Sequence, residues 1–237
     1  MPSTHDTSST PSPASASANP AEFGTVAVLG GTGPQGRGLA RRFAAAGVPV
    51  VIGSRDAGRA GQAAQPMAAA GLPVTGADNA GAASAGTIVI VAVPYEGHED
   101  LLKTLEGELA GKVVVDCVNP LGFDKQGAYQ LDVPEGSAAQ QAAAVLPDST
   151  VVAAFHHVSA VLLEDETVER VETDVLVLGE DREATDLIGR LADLVPGMRG
   201  VYAGRLRNAG QVEAFTANLI SINRRYKSHA GIRITDV

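Results

Sequence analysis

The chain of 237 residues has no tryptophan, one cysteine and only 4% aromatic residues. Each shortage excludes something. A single cysteine, Cys117, cannot close an intramolecular disulfide, and its place in the apolar run Lys112 to Val118 predicts a buried, inert thiol. No apolar run reaches the roughly eighteen residues that a membrane span needs. Residues 1 to 23 are mostly Ser, Thr, Pro and Ala, with neither a basic region nor a hydrophobic stretch. They read as a disordered leader and not as a secretory signal. The formal net charge of −9 argues against a general nucleic-acid binder. A reducing, cytoplasmic setting is the expectation, with no membrane and no nucleic acid among the partners. His156 and His157 are the one adjacent histidine pair, and no further His, Cys or carboxylate stands near them at ligand spacing, so no metal site is expected.

What the chain has in abundance is alanine and glycine, which suit close packing of helices on a sheet. Thr25 to Arg55 (TVAVLGGTGPQGRGLARRFAAAGVPVVIGSR) carries the densest information. Val26 to Leu29 reads as a short buried strand and Arg37 to Ala46 as a helix, and Gly31, Gly33 and Gly36 between them take the G-x-G-x-x-G spacing. Gly31 permits the tight turn, Gly33 admits a pyrophosphate to the backbone, and Gly36 lets the helix pack on the strand. The segment Gly31-Thr32-Gly33-Pro34-Gln35-Gly36 then ends at a helix N-terminus, whose free N–H groups favour an anion. An ordinary structural turn would use the same glycines. The strand, helix and second strand (Val48 to Ile52) around them favour a dinucleotide. At the end of that second strand an NAD-binding fold usually places a carboxylate for the ribose 2′-hydroxyl. Here Gly53-Ser54-Arg55 stands there with Arg59 one turn on, a hydroxyl and guanidinium set that suits a 2′-phosphate and hence NADP(H). A solvated helix start is the plainer reading of Arg55.

Strand and helix patterns alternate onward. Helices are expected at Asp56 to Ala70, Asn79 to Ala85 (capped by Asp78 or Asn79), Glu99 to Leu109, Ser137 to Val145, Arg182 to Leu194 and Asn208 to His229. Strands are expected at Leu72 to Thr75, Thr87 to Val93, Val113 to Val118, Thr150 to Phe155, Asp174 to Leu178 and Arg199 to Tyr202. Gly122 to Gly136 reads as a long loop without periodicity. Continuous apolar strands between helices indicate an α/β fold, a Rossmann-like, doubly wound, mostly parallel sheet. The expected organisation is a leader over 1–23, an NADP-binding domain over 24–155 and a small, partly helical C-terminal part over 156–237. Ligands of such sheets sit beyond the carboxyl ends of the strands. Val93-Pro94-Tyr95, Asn119-Pro120 and the segment Phe155 to Val158 are therefore candidate cofactor contacts. Pro94 and Pro120 each stop a strand and set a rigid wall there. Side chains of adjacent residues leave a strand on opposite sides, so at most one of His156 and His157 faces the cleft. A core histidine is the alternative for either.

From Met198 onward seven Lys and Arg, Arg207, Arg224 and Arg225 among them, stand against Glu213 and Asp236. That local +5 on an acidic chain suggests an anionic ligand or an acidic neighbouring subunit; a solvated helix face would look the same.

Six segments together resemble the NADPH:coenzyme F420 oxidoreductases. They are AVLGGTGPQGRGLA (Ala27 to Ala40), VVIGSR (Val50 to Arg55), IVIVAVPYE (Ile88 to Glu96), VVDCVNPLGF (Val114 to Phe123), VVAAFHHV (Val151 to Val158) and AGIRI (Ala230 to Ile234). The resemblance implies two cofactors, NADP(H) and coenzyme F420, with hydride exchanged directly between nicotinamide and deazaflavin, and a homodimer. By position it implies Thr32, Ser54, Arg55 and Arg59 at the 2′-phosphate end, Pro94 and Tyr95 beside the nicotinamide, and His156 and Val158 against the deazaflavin. The phosphodiester and glutamate tail of F420 would give Arg207 and the rest of the basic segment a purpose. No catalytic acid or base constellation is needed, since the cofactors carry the reactivity. Two rivals share the amino-terminal half: an NADPH-dependent reductase of a small imine or ketone, with Lys125 or Tyr129 as proton donor, and an NADP-sensing regulator without turnover.

Overall fold

Runs that are apolar on both faces must lie between two helical layers, and the computed structural model builds them that way. It describes residues 19–237. The strands are β1 (Val26–Leu29), β2 (Val50–Ser54), β3 (Val74–Asp78), β4 (Ile88–Val91), β5 (Val113–Asp116), β6 (Leu121–Asp124), β7 (Gly127–Gln130), β8 (Thr150–Ala153), β9 (Thr173–Gly179) and β10 (Met198–Gly204). The helices are α1 (Pro34–Ala45), α2 (Ala57–Ala69), α3 (Asn79–Ala85), α4 (His98–Thr104), α5 (Glu106–Leu109), α6 (Ala138–Val145), α7 (Ala160–Glu164), α8 (Arg182–Asp193) and α9 (Ala209–Tyr226).

Eight strands form one sheet in the order β10-β9-β8-β5-β4-β1-β2-β3. All neighbours are parallel except β8 and β9. Val28 of β1 lies level with Ile52 of β2 on one side and Ile90 of β4 on the other. Strand order reverses at β1, so a crevice opens beyond the carboxyl ends of β1 and β4, where such sheets bind ligands. One face is packed by Leu39, Phe43, Met67 and Ile188, and the other by Leu102, Leu109, Ala138 and Leu146. No helix among the described residues is long and apolar enough to cross a membrane.

The sequence-based reading is corrected in several places, and the third strand runs over Val74–Asp78 where Leu72 to Thr75 is expected. The expected leader falls on residues 1–18, outside the described residues, and on residues 19–23, which are not leader-like. Pro20–Phe23 is a 3₁₀ turn capped by the Asn19 side chain, with Phe23 fully buried in the core. The expected loop Gly122 to Gly136 contains the β6–β7 hairpin. Asp124 Oδ1 accepts from the N–H groups of Gln126 and Gly127, and Gly127 takes a φ of 130° at the turn. Its four-residue strands are too short to show an alternation. The expected helix Glu99 to Leu109 breaks at Leu105 into α4 and α5. Helix α7, packed on α1, had no sequence signal. Residues 156–237 extend the same sheet through β9 and β10 and continue into α9, which packs on β7 and α6, before a last segment returns to β9.

Candidate active site

The crevice is a cleft of ≈ 410 Å³, within the size range of small-molecule sites. Its floor is the turn between β1 and α1. Gly30 has a φ of 73°, and a Cβ there would sit 2.4 Å from the Ala92 carbonyl oxygen, so the end of β1 and the end of β4 touch backbone to backbone. A Cβ on Gly36 would lie 2.7 Å from Gly31 Cα. Helix α1 therefore presses its first turn directly onto the loop. Gly33, the residue before α1, differs. A Cβ there would approach one atom, Gly30 O, at 3.4 Å, and its remaining side is open. That open side is the cradle a pyrophosphate requires, and it meets the N-terminus of α1, with Pro34 at the first helical position.

One end of the cleft is formed by Ser54, Arg55, Asp56 and Arg59, and the opposite end by Ala92, Val93, Pro94, Glu96 and Gly97. Ser54 is buried at the end of β2, whereas Arg55 and Arg59 are exposed at the rim. Asp56 is spent locally: its Oδ1 accepts from Arg59 N at 2.8 Å and caps α2. Thr32 lines the floor, and its carbonyl accepts from Arg37, which also pairs with Glu164. Tyr95 lies in an adjoining depression with Gln141, Glu99 and Asp100.

Behind this wall runs a buried polar network. His98 Nε2 meets Asp116 Oδ2 at 2.6 Å, and His98 Nδ1 meets Gln141 Oε1 at 3.0 Å, all within the core. Burial opposes the imidazolium of His98, but the Asp116 carboxylate outweighs it and raises the pKa. His98 N–H also donates to the Tyr95 carbonyl, so this pair ties the exit of β4 to the end of β5. Glu213 of α9 reaches the start of α6 and accepts from the N–H groups of Ala138 and Ala139 at 2.9 and 3.1 Å. Burial nevertheless pushes its carboxyl up to about 7.

The exit of β8 is held by a second set of bonds. Phe155 has a φ of 64°, a conformation costly for a bulky residue. Three amide and hydroxyl groups fasten the segment: Gln35 Nε2 donates to Phe155 O at 3.0 Å, Asn119 Nδ2 donates to His156 O at 2.9 Å, and Thr216 of α9 bonds Asn119 Oδ1. Phe155 stacks edge-on against Phe43 at 5.8 Å.

The expected residues thus fall into three places. Thr32, Gly33, Ser54, Arg55, Arg59, Val93 and Pro94 share the cleft wall, with Gly31 and Gly36 shaping it from beneath and Tyr95 next door. Pro34, Gln35, Asn119, Pro120, His156 and Val158 do not line it. Neither histidine faces the open cleft. His156 is 3% exposed, has no hydrogen-bond partner on either ring nitrogen among the described residues, and stands 4.0 Å from Glu213. Burial drives its pKa down to about 4. His157 points the other way, its Nε2 accepting from Leu176 N–H at 3.4 Å. Val158 belongs to the core. Arg207 stands apart, in a depression with Glu135, Gln140 and Glu180. Three further members of the basic segment are spent inside the chain: Arg199 and Arg233 on Asp174, and Arg205 on Glu180. Lys125 and Tyr129 are on the β6–β7 hairpin and do not line the cleft. Sequence reasoning missed Gly30, Asp56, Asn79, Ala92, Glu96, Gly97 and Leu101 as lining residues. For Asn79 a signal existed, in the choice between Asp78 and Asn79 as helix cap.

A Rossmann-type sheet with an open glycine at a helix N-terminus and two arginines beyond β2 has the form of a nucleotide-binding domain. The family model for coenzyme F420-dependent NADP oxidoreductases matches residues 25–120. An F420-dependent NADP reductase of Methanothermobacter marburgensis is 40% identical over 221 residues, 90% of this chain and 98% of that protein. One from Methanocaldococcus jannaschii is 38% identical over the same share of each. The chain belongs to the F420-dependent NADP reductase family. Among solved structures, one from Arthrobacter sp. FB24 superposes with a TM-score of 0.76 at 24% identity, covering 89% of this chain and 98% of that one. An imine reductase from Bacillus cereus shares the fold more loosely, with a TM-score of 0.60 at 20% identity over 86% of this chain and 63% of that one.

Proposed function

We propose that this protein transfers hydride between NADP(H) and coenzyme F420, with both held at the carboxyl edge of the sheet. The observation that carries the nucleotide half is the open side of Gly33 at the N-terminus of α1, with Ser54, Arg55 and Arg59 at the far end of the same cleft. Nicotinamide and deazaflavin supply hydride donor and acceptor carbons when bound, so the protein needs no nucleophile of its own. Its part is to hold and orient. The Gly33 backbone and the α1 N-terminus receive the pyrophosphate. Arg55 and Arg59 hold the 2′-phosphate, bidentately where the guanidinium plane allows. Val93 and Pro94 form an apolar wall that would exclude water beside a bound nicotinamide. Tyr95 bounds the next depression, towards the deazaflavin. Gln35, Asn119 and Thr216 act at one remove by fixing the β8 exit. His156 and Val158 lie in that exit segment, and Arg207 is the candidate contact for the anionic tail of F420.

A homodimer accompanies this reading. Phe123 and Tyr129 of the hairpin and Phe215, Ile222 and Tyr226 of α9 are exposed on elements packed side by side, and a second copy would cover them. Sedimentation velocity tests this, with a single species of twice the chain mass expected and a monomer at micromolar concentration contrary to it. A cytoplasmic location rests on the lone buried thiol and a dependence on two soluble cofactors.

The test of function is direct. The pure protein is mixed with NADPH and oxidised F420, and the visible absorbance of the deazaflavin is followed. Bleaching with stoichiometric loss of NADPH is expected. NADPH binding without bleaching would favour a sensor. Turnover of a cyclic imine without bleaching would favour the reductase of small substrates.

A further inference from the structure

The cleft is lined by one buried polar side chain whose carbonyl oxygen has no partner among the described residues. Asn79 is nine-tenths buried, lines the cleft beside Ser54, Arg55 and Arg59, and its Oδ1 has no hydrogen-bond partner among the described residues. Position explains the burial. The β2–β3 register pairs Ser54 with Asp78, so Asn79 begins α3 immediately beside the end of β2. A Cβ on Gly53 would lie 3.1 Å from Asn79 Oδ1, so the carboxamide packs over the glycine that precedes Ser54. The ribose carboxylate of an NAD-binding fold would stand next to it, at the end of β2.

The ordinary structural reason for an asparagine here is absent. Helix α3 is capped by Asp78, whose Oδ1 accepts from Gly81 N at 2.7 Å, so Asn79 is not needed as a cap. A buried amide without a partner weakens the unliganded fold relative to an apolar or small residue. Such a group is retained where a ligand completes it. A carboxamide can both accept from a ribose hydroxyl and donate to a phosphate oxygen.

We propose that Asn79 is a recognition residue for the 2′-phosphorylated ribose of NADP(H), closing the pocket from the start of α3 beside Arg55 and Arg59. The proposal rests on the reading that this cleft takes NADP(H). It makes Asn79 a determinant of affinity and of the choice between phosphorylated and unphosphorylated nucleotide. Neither role follows from a cap.

The probe is 2′,5′-ADP, which carries the phosphorylated ribose and no nicotinamide, titrated calorimetrically against the wild type, Asn79→Ala, Asn79→Asp and Arg55→Ala. Thermal unfolding of each unliganded protein is recorded alongside. Asn79→Ala is expected to bind 2′,5′-ADP about tenfold more weakly, the loss of roughly one hydrogen bond to a polar or charged group, while unfolding at or above the wild-type temperature. Asn79→Asp is expected to bind it more weakly still, because a carboxylate there repels the phosphate, and to narrow the preference for NADPH over NADH. Unchanged binding by Asn79→Ala, with Arg55→Ala weakened, would overturn the role of Asn79 alone. Lowered thermal stability in Asn79→Ala together with weakened binding would also overturn it, in favour of a structural role. Unchanged binding by Arg55→Ala as well would overturn the nucleotide assignment of the cleft and this proposal with it. If Asn79→Ala fails to fold, Asn79→Ser, which keeps a short polar group, takes its place and is held to the same outcomes.

Discussion

Two glycines three residues apart, one just before α1 and one in its first turn, should respond to the same substitution in opposite ways. Alanine at position 33 meets one atom at 3.4 Å, and the backbone there (φ −80°, ψ 163°) is open to any residue. The folded state is not strained, and the unfolded chain loses freedom, which stabilises by about 0.4–1 kcal/mol. The new methyl group, however, occupies the cradle. Losing one or two hydrogen bonds from backbone N–H to a charged phosphate, each about 1.5–3 kcal/mol, weakens NADPH at least tenfold. Alanine at position 36 meets Gly31 Cα at 2.7 Å and Gly30 O at 2.8 Å. Both are backbone, so neither can swing aside. Helix propensity returns about 1 kcal/mol, against a collision at or beyond the upper end of the usual range of about 1–3 kcal/mol. A net loss of about 2 kcal/mol lowers the melting temperature by about 4–8 °C at this chain length. Thermal unfolding without nucleotide and NADPH fluorescence titration separate the two. Gly33→Ala should melt at or slightly above the wild-type temperature with weakened NADPH, and Gly36→Ala should melt lower. Wild-type NADPH affinity in Gly33→Ala, or a wild-type melting temperature in Gly36→Ala, would refute the reasoning.

Three further outcomes are expected. Arg55→Glu should lose well over tenfold in NADPH affinity and bind NADH relatively better, measured by the same titration, because a carboxylate repels the 2′-phosphate. Asp174 should govern acid stability. Burial alone would raise its pKa, but bonds from Arg199, the Ile234 N–H and Arg233 outweigh that and hold it at about 2. A depressed carboxyl contributes fully above its unfolded value near 4 and loses its contribution as pH falls towards about 2. Urea midpoints of Asp174→Asn should therefore be lower at pH 7 and flatter than wild type between those two values. Cys117, buried and bonded to the Val91 carbonyl, has its pKa pushed far up by burial. Aromatic disulfide reagents should label it in denaturant and leave it untouched in the native protein.

How much of this was legible beforehand depends on how local the cause is. The glycine turn and Ser54-Arg55 were legible because a short strand, a tight turn and a helix start are fixed by residues next to one another. The sheet's parallel half was legible for the same reason, since runs such as Ile88 to Val91 are apolar on both faces. The β8 exit was not. Which way His156 and His157 point follows from the positive φ at Phe155, and nothing in a phenylalanine announces that backbone state. It is held by Gln35, Asn119 and Thr216, all distant in sequence. The basic segment misled because charge counts do not say which cations are already spent. Arg199 and Arg233 bind Asp174 and fasten the C-terminal residues to β9. Asn79 was ambiguous for the reverse reason: either of two neighbours could cap α3, and only the register of β3 against β2 decides which one is left over for the cleft.

Hydride should pass directly between the two bound cofactors with no group of the protein standing between them. NADPH carrying deuterium on the transferred face of C4 is the reagent that tests it. In a single turnover in ordinary water, the deuterium should appear wholly at C5 of the reduced deazaflavin. Reduced deazaflavin free of deuterium, with the label recovered in solvent, would contradict the account.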